Sequence, residues 1–418
     1  MKKIYTLAAV LIICSSFVMV KQGKDKTYII TDFGAKGDSL TMNTKSIQQA
    51  IDECAAKGGG TVVVPRGIFI SGAIFLKKGV NLRVDKGAVL KGSLNQDDYP
   101  QVPTRWEGEE RNFTSAFINA DHCDGTIISG EGTIDGSGDL WLKRDKERGR
   151  APGSGPRLGH PRMICVSNSE RITIKDLRLH NQAVWCLHVL YCKNVLVKNL
   201  NISADHNILS SDGMDIDSSD GVHITESTID VNDDCISIKS GKDEDGLRVN
   251  RPSTNILIDK CHFAYGHGGV AMGSETSGGI NKVVVKDCIV DSNNWAPIRF
   301  KTQPSRGGVV EDITYQNIKL HGTKKAFEFN MAWRMVGPAK APSAVPPVVR
   351  NIKIINVSGD VDAVGDMHGL INSPISGVTF KNCDITAKSG FVLERVEDVN
   401  LAGLKLTVQN GERVIRRD

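Results

Sequence analysis

An all-β, single-stranded, right-handed parallel β-helix with an N-terminal capping helix is the fold this sequence predicts. Three observations point to it. A short pattern returns nine times: ERITIKDLRLHN, KNVLVKNLNISA, DGVHITESTIDV, TNILIDKCHFAY, NKVVVKDCIVDS, EDITYQNIKLHG, RNIKIINVSGDV, SGVTFKNCDITA and EDVNLAGLKLTV. The units start at 170, 193, 220, 254, 281, 311, 350, 376 and 397. Inside each unit, small or apolar residues tend to fall at relative positions 0, 2, 5 and 7 counted from the first of them, as in Val283, Val285, Cys288 and Val290. That is period-2 alternation broken by a bend that shifts the phase by one. A further strand-like run follows in most units, such as MDID, CISI, GVAM and PIRF. Two or three short strands per turn, at an irregular period of about 25 residues, describe coils whose equivalent strands pair from turn to turn. Finally, the helical apolar spacing that repeats of this length could also carry is absent.

The elements follow in chain order. Lys2 and Lys3 precede an apolar run of signal-peptide length, so residues 1–23 are expected to be an export signal. Cys14 invites a lipid anchor, but Ile13 stands where a small residue is expected before a lipidated cysteine. Export to the periplasm, cell surface or exterior is expected, with no membrane attachment beyond such an anchor. Residues 27–418 then read as one β-helix. In NTKSIQQAIDECAA, residues 43–56, Ile47, Ala50, Ile51, Cys54 and Ala55 take helical spacing behind a polar start. This helix is expected to plug the end of the solenoid, and GGGTVVVPRGIF opens the strands. Residues 137–165 are rich in Gly, Pro and Arg and are expected to form a long exposed loop. A second break spans 333–350. Long loops on a rigid scaffold commonly wall a binding site.

Bulk properties exclude some classes. A net charge of +4 in 418 residues is too small to indicate nucleic acid. Of ten cysteines, Cys261, Cys288 and Cys383 share a repeat position with Leu177, Leu200, Ile318 and Leu404. They read as small interior hydrophobes rather than disulfide partners, and no C-x-x-C pair suggests zinc. A monomer is expected.

Four consecutive coils carry unusual polar residues beside the strand that follows the repeat. They are Asp212, the pair Asp233–Asp234, His267, and Arg299 with Lys301. Stacked coils lie about 4.8 Å apart, so these residues share one patch. Crowded carboxylates raise one another's pKa, which helps hold one protonated. A protonated carboxyl and a second carboxylate suit glycoside hydrolysis. Arg299 and Lys301, two apart on one strand face, could hold a substrate carboxylate. His267, between Gly266 and Gly268, could orient the acid. Singly, each is ordinary: Asp-Asp and Asp-Gly are common turn chemistry, and Arg-x-Lys is usually a solvated face. In register on successive coils they read as a site.

These residues resemble glycoside hydrolase family 28, the polygalacturonase-type pectinases with a pectin-lyase-like solenoid. The family's N-T-D, D-D, G-H-G and R-I-K appear here as S-S-D ending at Asp212, D-D at 233–234, G-H-G at 266–268 and R-F-K at 299–301. TDFGAKGD, NTKSIQQAIDEC and GGGTVVVPRGIF also resemble the family's first coil, and the likeness spans roughly residues 28 to 400. The resemblance implies an inverting enzyme with Asp233 as general acid. It implies that Asp212 and Asp234 activate water, His267 supports the acid, and Arg299 and Lys301 bind a galacturonate carboxylate. It implies a galacturonate-containing polysaccharide or oligosaccharide as substrate and no metal or cofactor. Inversion leads us to expect about 6.5–9.5 Å between acid and base. Two departures stand out. Ser210-Ser211 removes an amide beside Asp212, and Phe300 replaces Ile at a position expected to face the interior.

Two rivals share the fold. A β-eliminating pectate lyase would use calcium and a basic residue, yet the ordered D, D-D, G-H-G, R-x-K set fits it poorly. A non-catalytic carbohydrate-binding solenoid would repeat exposed aromatics along its groove. Trp106, Trp141, Trp185, Trp295 and Trp333 do not recur at one repeat position. TRWEGEERN at 104–112 and GSETSGGI at 273–280 look more like exo-acting relatives, and the 137–165 loop is the expected block at one end of the groove.

Overall fold

The corner between two strands sets this architecture. At Asp176, Asn199, Glu226, Lys260, Asp287, Asn317, Asn356 and Asn382 the backbone turns through one left-handed residue, φ between 52° and 62°. Each lies just before relative position 5 of its unit, so the bend read from the sequence is a single αL residue that flips the alternation. Asn and Asp tolerate αL better than branched residues do. Their side chains also bond from coil to coil, as Asn356 Nδ2 to Asn317 Oδ1 and Asn382 Nδ2 to Asn356 Oδ1, both 2.8 Å.

The structure is a computed structural model that describes residues 26–149, 159–334 and 340–417. The expected signal, residues 1–23, lies outside the described residues, as do 150–158 and 335–339 within the two expected breaks. No described helix is long and apolar enough to cross a membrane. Parallel pairings link coil to coil from Thr27–Ile29 to Val414–Arg417. Cys288 pairs with Ile318, and Cys383 with Leu404, so these cysteines are in register with aliphatic neighbours. The nine described cysteines are all buried, and no two of them form a disulfide. Phe300 does face the interior, stacked on Phe329 with centroids 4.3 Å apart.

Helix α1, Thr44–Ala56, buries Ile47, Ala50, Ile51 and Cys54 over the first coils, as its spacing predicts. Two features differ from expectation. Within 137–165, Gly138–Glu147 is a second helix, α2, and Ile164–Ser167 is already a strand. The described N-terminal part of this segment is not an exposed loop, because Trp141 is 3% exposed and packs near Tyr99. One aromatic anchors a helix whose other residues are mostly charged, so no apolar stripe announced it. Gln101–Trp106 and Glu109–Thr114 form an antiparallel hairpin, the one antiparallel pair of strands among the described residues.

The strand column that carries the site includes Met214–Asp217, Ile236–Lys239 and residues 270–273, 298–301 and 327–330. Alternate residues fill the interior, as Ile236 and Ile238 do beside Val270 and Met272. The others point out as a row: His188, Asp215, Ser237, Ala271, Arg299, Glu328 and Asp366 in register across seven coils. This outward face is the floor of a groove along the solenoid axis.

Candidate active site

Asp233 and Asp234 precede the strand, which begins at Ile236. Strict alternation would bury one of them in the interior column. The chain is still bending at this point, so both turn to the groove side. Backbone bonds from Gly213 N to Asp234 O (3.0 Å) and from Cys235 N to Gly268 O (2.7 Å) stack the Asp212, Asp234 and Gly268 coils. The result brings one carboxylate oxygen each of Asp212, Asp233 and Asp234 within 4.8 Å of one another. This is closer than the 6.5–9.5 Å expected for an inverting pair.

The three carboxylates are not equivalent. Asp234 is fully buried, and Asp212 is 4% exposed. Asp234 accepts from Arg299 Nη1 at 3.3 Å and from Lys301 Nζ at its other oxygen. Burial, and after it the charge of Asp233, pushes the Asp212 carboxyl up to about 8. Asp212 therefore holds a proton at neutral pH, and burial raises the neighbouring Asp215 carboxyl as well. The Asp233 side chain keeps 25% exposure, and His267 Nδ1 lies 3.4 Å from it. The hydrogen bond to Asp233 outweighs burial and raises the His267 pKa.

A stability signature follows from Asp212. Its folded value lies above its unfolded one, so between about pH 4 and pH 8 the folded state retains a proton that the unfolded chain has lost. Stability drawn from this group therefore falls as pH rises through that window. Asp212→Asn is expected to remove this share and leave that of Asp215, whose carboxyl burial also raises. Thermal unfolding midpoints at about pH 5 and about pH 8 should converge in the variant relative to the parent. The same pH dependence in both would refute it.

The G-H-G glycines are required by close approach. A Cβ at Gly268 would lie 2.7 Å from Asp234 Oδ1, and one at Gly266 would lie 2.8 Å from Asp233 O. The amide lost with Ser210-Ser211 has a substitute. Buried Gln182, one coil earlier, donates from Nε2 to Ser211 O at 2.9 Å and to Asp212 O at 3.4 Å.

The model of glycosyl hydrolases family 28 matches residues 54–403. The chain belongs to that family. A probable polygalacturonase of Vitis vinifera is 30% identical over 368 residues, 85% of this chain and 73% of its own. An endo-polygalacturonase of Pectobacterium carotovorum subsp. carotovorum is 27% identical, over 86% of this chain and 88% of its own. The solved exopolygalacturonase from Thermotoga maritima shares 27% identity at a TM-score of 0.75, covering 94% of this chain and 92% of its own.

In this family 28 glycoside hydrolase, the groove is covered at one end. The hairpin of residues 101–114 arises in an early coil and lies over the outward row beside the carboxylates. Arg105, fully buried, pairs with Asp217 Oδ1 at 2.7 Å and donates to Ser218 Oγ at 2.8 Å. Trp106 stacks between Phe113 and Trp185, with centroids 4.4 and 4.6 Å away. Glu110 bonds Tyr191, at 2.8 Å, and Arg248 of helix α3, Asp243–Val249, at 2.6 Å. Glu109 meets Lys242 and Lys340, each at 3.3 Å, and Lys340 also reaches Asp243 at 3.0 Å. Among the described residues, 101–114, α3 and Lys340 cover this end, while 150–158, in the segment expected to form the block, lie outside the described residues.

Beneath it, Lys239 pairs with Glu275 at 2.9 Å and with Asp215 at 3.6 Å, with Trp185 below its ammonium. On the other side of the carboxylates, Glu328 holds Arg299 Nε at 2.6 Å. The sequence reading missed Glu328, Lys239 and Gln182. A signal existed for the first two, since FEF and IRF occupy the same register, as do DID and SIK. None existed for Gln182.

Proposed function

We propose that this enzyme hydrolyses α-galacturonosidic links in pectic polysaccharides or oligosaccharides, working inward from one chain end. What carries the reading is three carboxylates and the Arg299–Lys301 pair in a groove that the 101–114 hairpin covers at one end. A covered end allows a chain terminus to enter and excludes a continuous polymer.

Asp233 donates the proton to the glycosidic oxygen as the C–O bond breaks, because it is the most accessible of the three. That proton reaches it from Asp212, whose oxygen lies within 4.8 Å, and Asp212 is left a carboxylate. Asp212 and Asp234 hold the water whose oxygen bonds the anomeric carbon, and take up the proton it releases. Asp234 has both oxygens on cations, which supports water rather than a carboxylate as nucleophile despite the short spacing. We infer inversion from this. Arg299 and Lys301 bind the carboxylate of the uronate beside the cleaved bond. We also infer export and a monomer, as the N-terminal residues and the solenoid surface suggest.

The deciding experiment is chain-length-resolved analysis on defined oligogalacturonates, with proton NMR of the first sugar formed. Only monomer or dimer should appear, first as the β-anomer. A spread of intermediate lengths would sink the exo reading, and an initial α-anomer would sink inversion. An unsaturated, UV-absorbing product that chelation abolishes would replace hydrolysis by elimination. Arg299→Ala should lower kcat as well as raise KM, each at least about ten-fold, because Arg299 serves both the substrate and Asp234. Unchanged discrimination between uronate and neutral substrates would refute the clamp.

A further inference from the structure

The five tryptophans of this chain are not alike. Trp106, Trp141 and Trp185 are each 3% exposed, Trp333 is half-buried, and Trp295 is 45% exposed. Trp295 is also placed with care. Gly266 pairs with Asn294 and Gly268 with Ala296, so Trp295 stands one coil beyond His267, on the side of the groove the hairpin leaves open. Its indole Nε1 donates to Glu328 at 3.1 Å, the carboxylate that also holds Arg299. The Lys325 ammonium lies 5.4 Å from its ring and 3.0 Å from Glu328. An exposed indole fixed at its N–H keeps little rotational freedom to lose on binding.

Trp333 comes from the other flank. Its backbone N donates to Thr302 O at 3.0 Å, and the Lys301 ammonium lies 5.3 Å from its ring. Two aromatic rings thus flank a cationic floor made by Arg299 and Lys301. The axial C–H groups of a pyranose make an apolar face that suits an indole, while its carboxylate suits the cations below.

We propose that Trp295 and Trp333 are the walls of a sugar subsite on the open side of the cleaved bond. Trp295 is its stacking surface for the uronate ring whose carboxylate Arg299 and Lys301 hold. The subsite rests on the proposed substrate class, and nothing in the shared D, D-D, G-H-G, R-x-K set requires a tryptophan there. Glu328 then has two duties, holding the ring and the guanidinium in one fixed relation.

The test compares Trp295→Ala with Trp295→Phe, in the active enzyme and in an Asp233→Asn background, using oligogalacturonates of defined length. Calorimetric affinity should fall about five- to ten-fold in the alanine variant, the range an aromatic contact commands. KM should rise to match, with kcat within about two-fold. The phenylalanine variant keeps a ring and loses the N–H, so it should retain most of the affinity. Equal losses in both variants would mean that Trp295 serves only to hold Glu328, and would overturn the subsite. Unchanged affinity in the alanine variant would overturn it too. Cleavage by the parent with no effect of either variant removes the subsite and leaves the proposed function standing. Binding without cleavage by the parent removes the function, and the same alanine-to-phenylalanine comparison still decides the subsite.

Discussion

Asp233→Asn is expected to abolish turnover, by about 10³-fold or more, in a protein that folds and binds as before. Positioned general acids supply about 10²–10⁴-fold, and an amide cannot donate a carboxylic proton to the leaving oxygen. The fold should be indifferent. Asp233 lies on a bend, one quarter of its side chain is exposed, and its backbone N–H and C=O remain available to neighbours. The His267 N bond to Asp233 O, 2.9 Å, uses the main chain and survives the substitution. Two measurements check this: reducing-end release over long incubations, and calorimetric binding of an oligogalacturonate. A loss below about ten-fold would show that another group supplies the proton. Asp212 would then be the natural candidate, since it already carries one.

The largest expected effect on stability lies under the hairpin. Burial would push the Asp217 carboxyl up, yet Arg105 and His188 hold it well below the usual carboxylate range. Both side chains of the Arg105–Asp217 pair are essentially inaccessible to water. Arg105→Ala leaves a charge with its principal partner gone. Breaking a buried pair from one side costs about 3–5 kcal/mol, which a shift in denaturation midpoint would reveal. The sign with pH is fixed by the lowered value. The pair contributes above the ordinary Asp range and loses its contribution as pH falls below it. Replacing both partners by apolar residues should recover much of the loss. A parent-like midpoint in Arg105→Ala would refute the role given to the pair. If the hairpin lifts in the variant, products longer than dimers should also appear.

Much of this was legible in advance because a solenoid converts sequence period into space. Once the units were aligned, Asp212, Asp233–Asp234, His267 and Arg299 had to fall on adjacent coils. The same alignment predicted the interior places of Cys288 and Phe300. What escaped lies where the repeat is interrupted. Helix α2 buries one tryptophan among charges, and most of the hairpin's charged partners are more than a hundred residues away. Arg105 to Asp217 is a pairing across 112 positions, which no local pattern announces. Gln182 escaped for a related reason: it replaces a lost side chain from the coil before, through the backbone. The distribution of protons was also beyond the sequence. Crowding was foreseeable, but the burial and the neighbouring Asp233 charge that raise Asp212 were not.

The left-handed corners have a further implication. Each coil closes on single residues whose geometry does not depend on the chain beyond the next strand. Helix α3 enters between Lys239 and Ser253, and Ser253 Oγ still reaches Lys239 O at 2.7 Å. An insertion of this kind leaves the strands on either side in place. A wall of the groove can therefore be replaced as a separate cassette, altering which chain end or side branch is admitted, without moving the strands that carry the carboxylates.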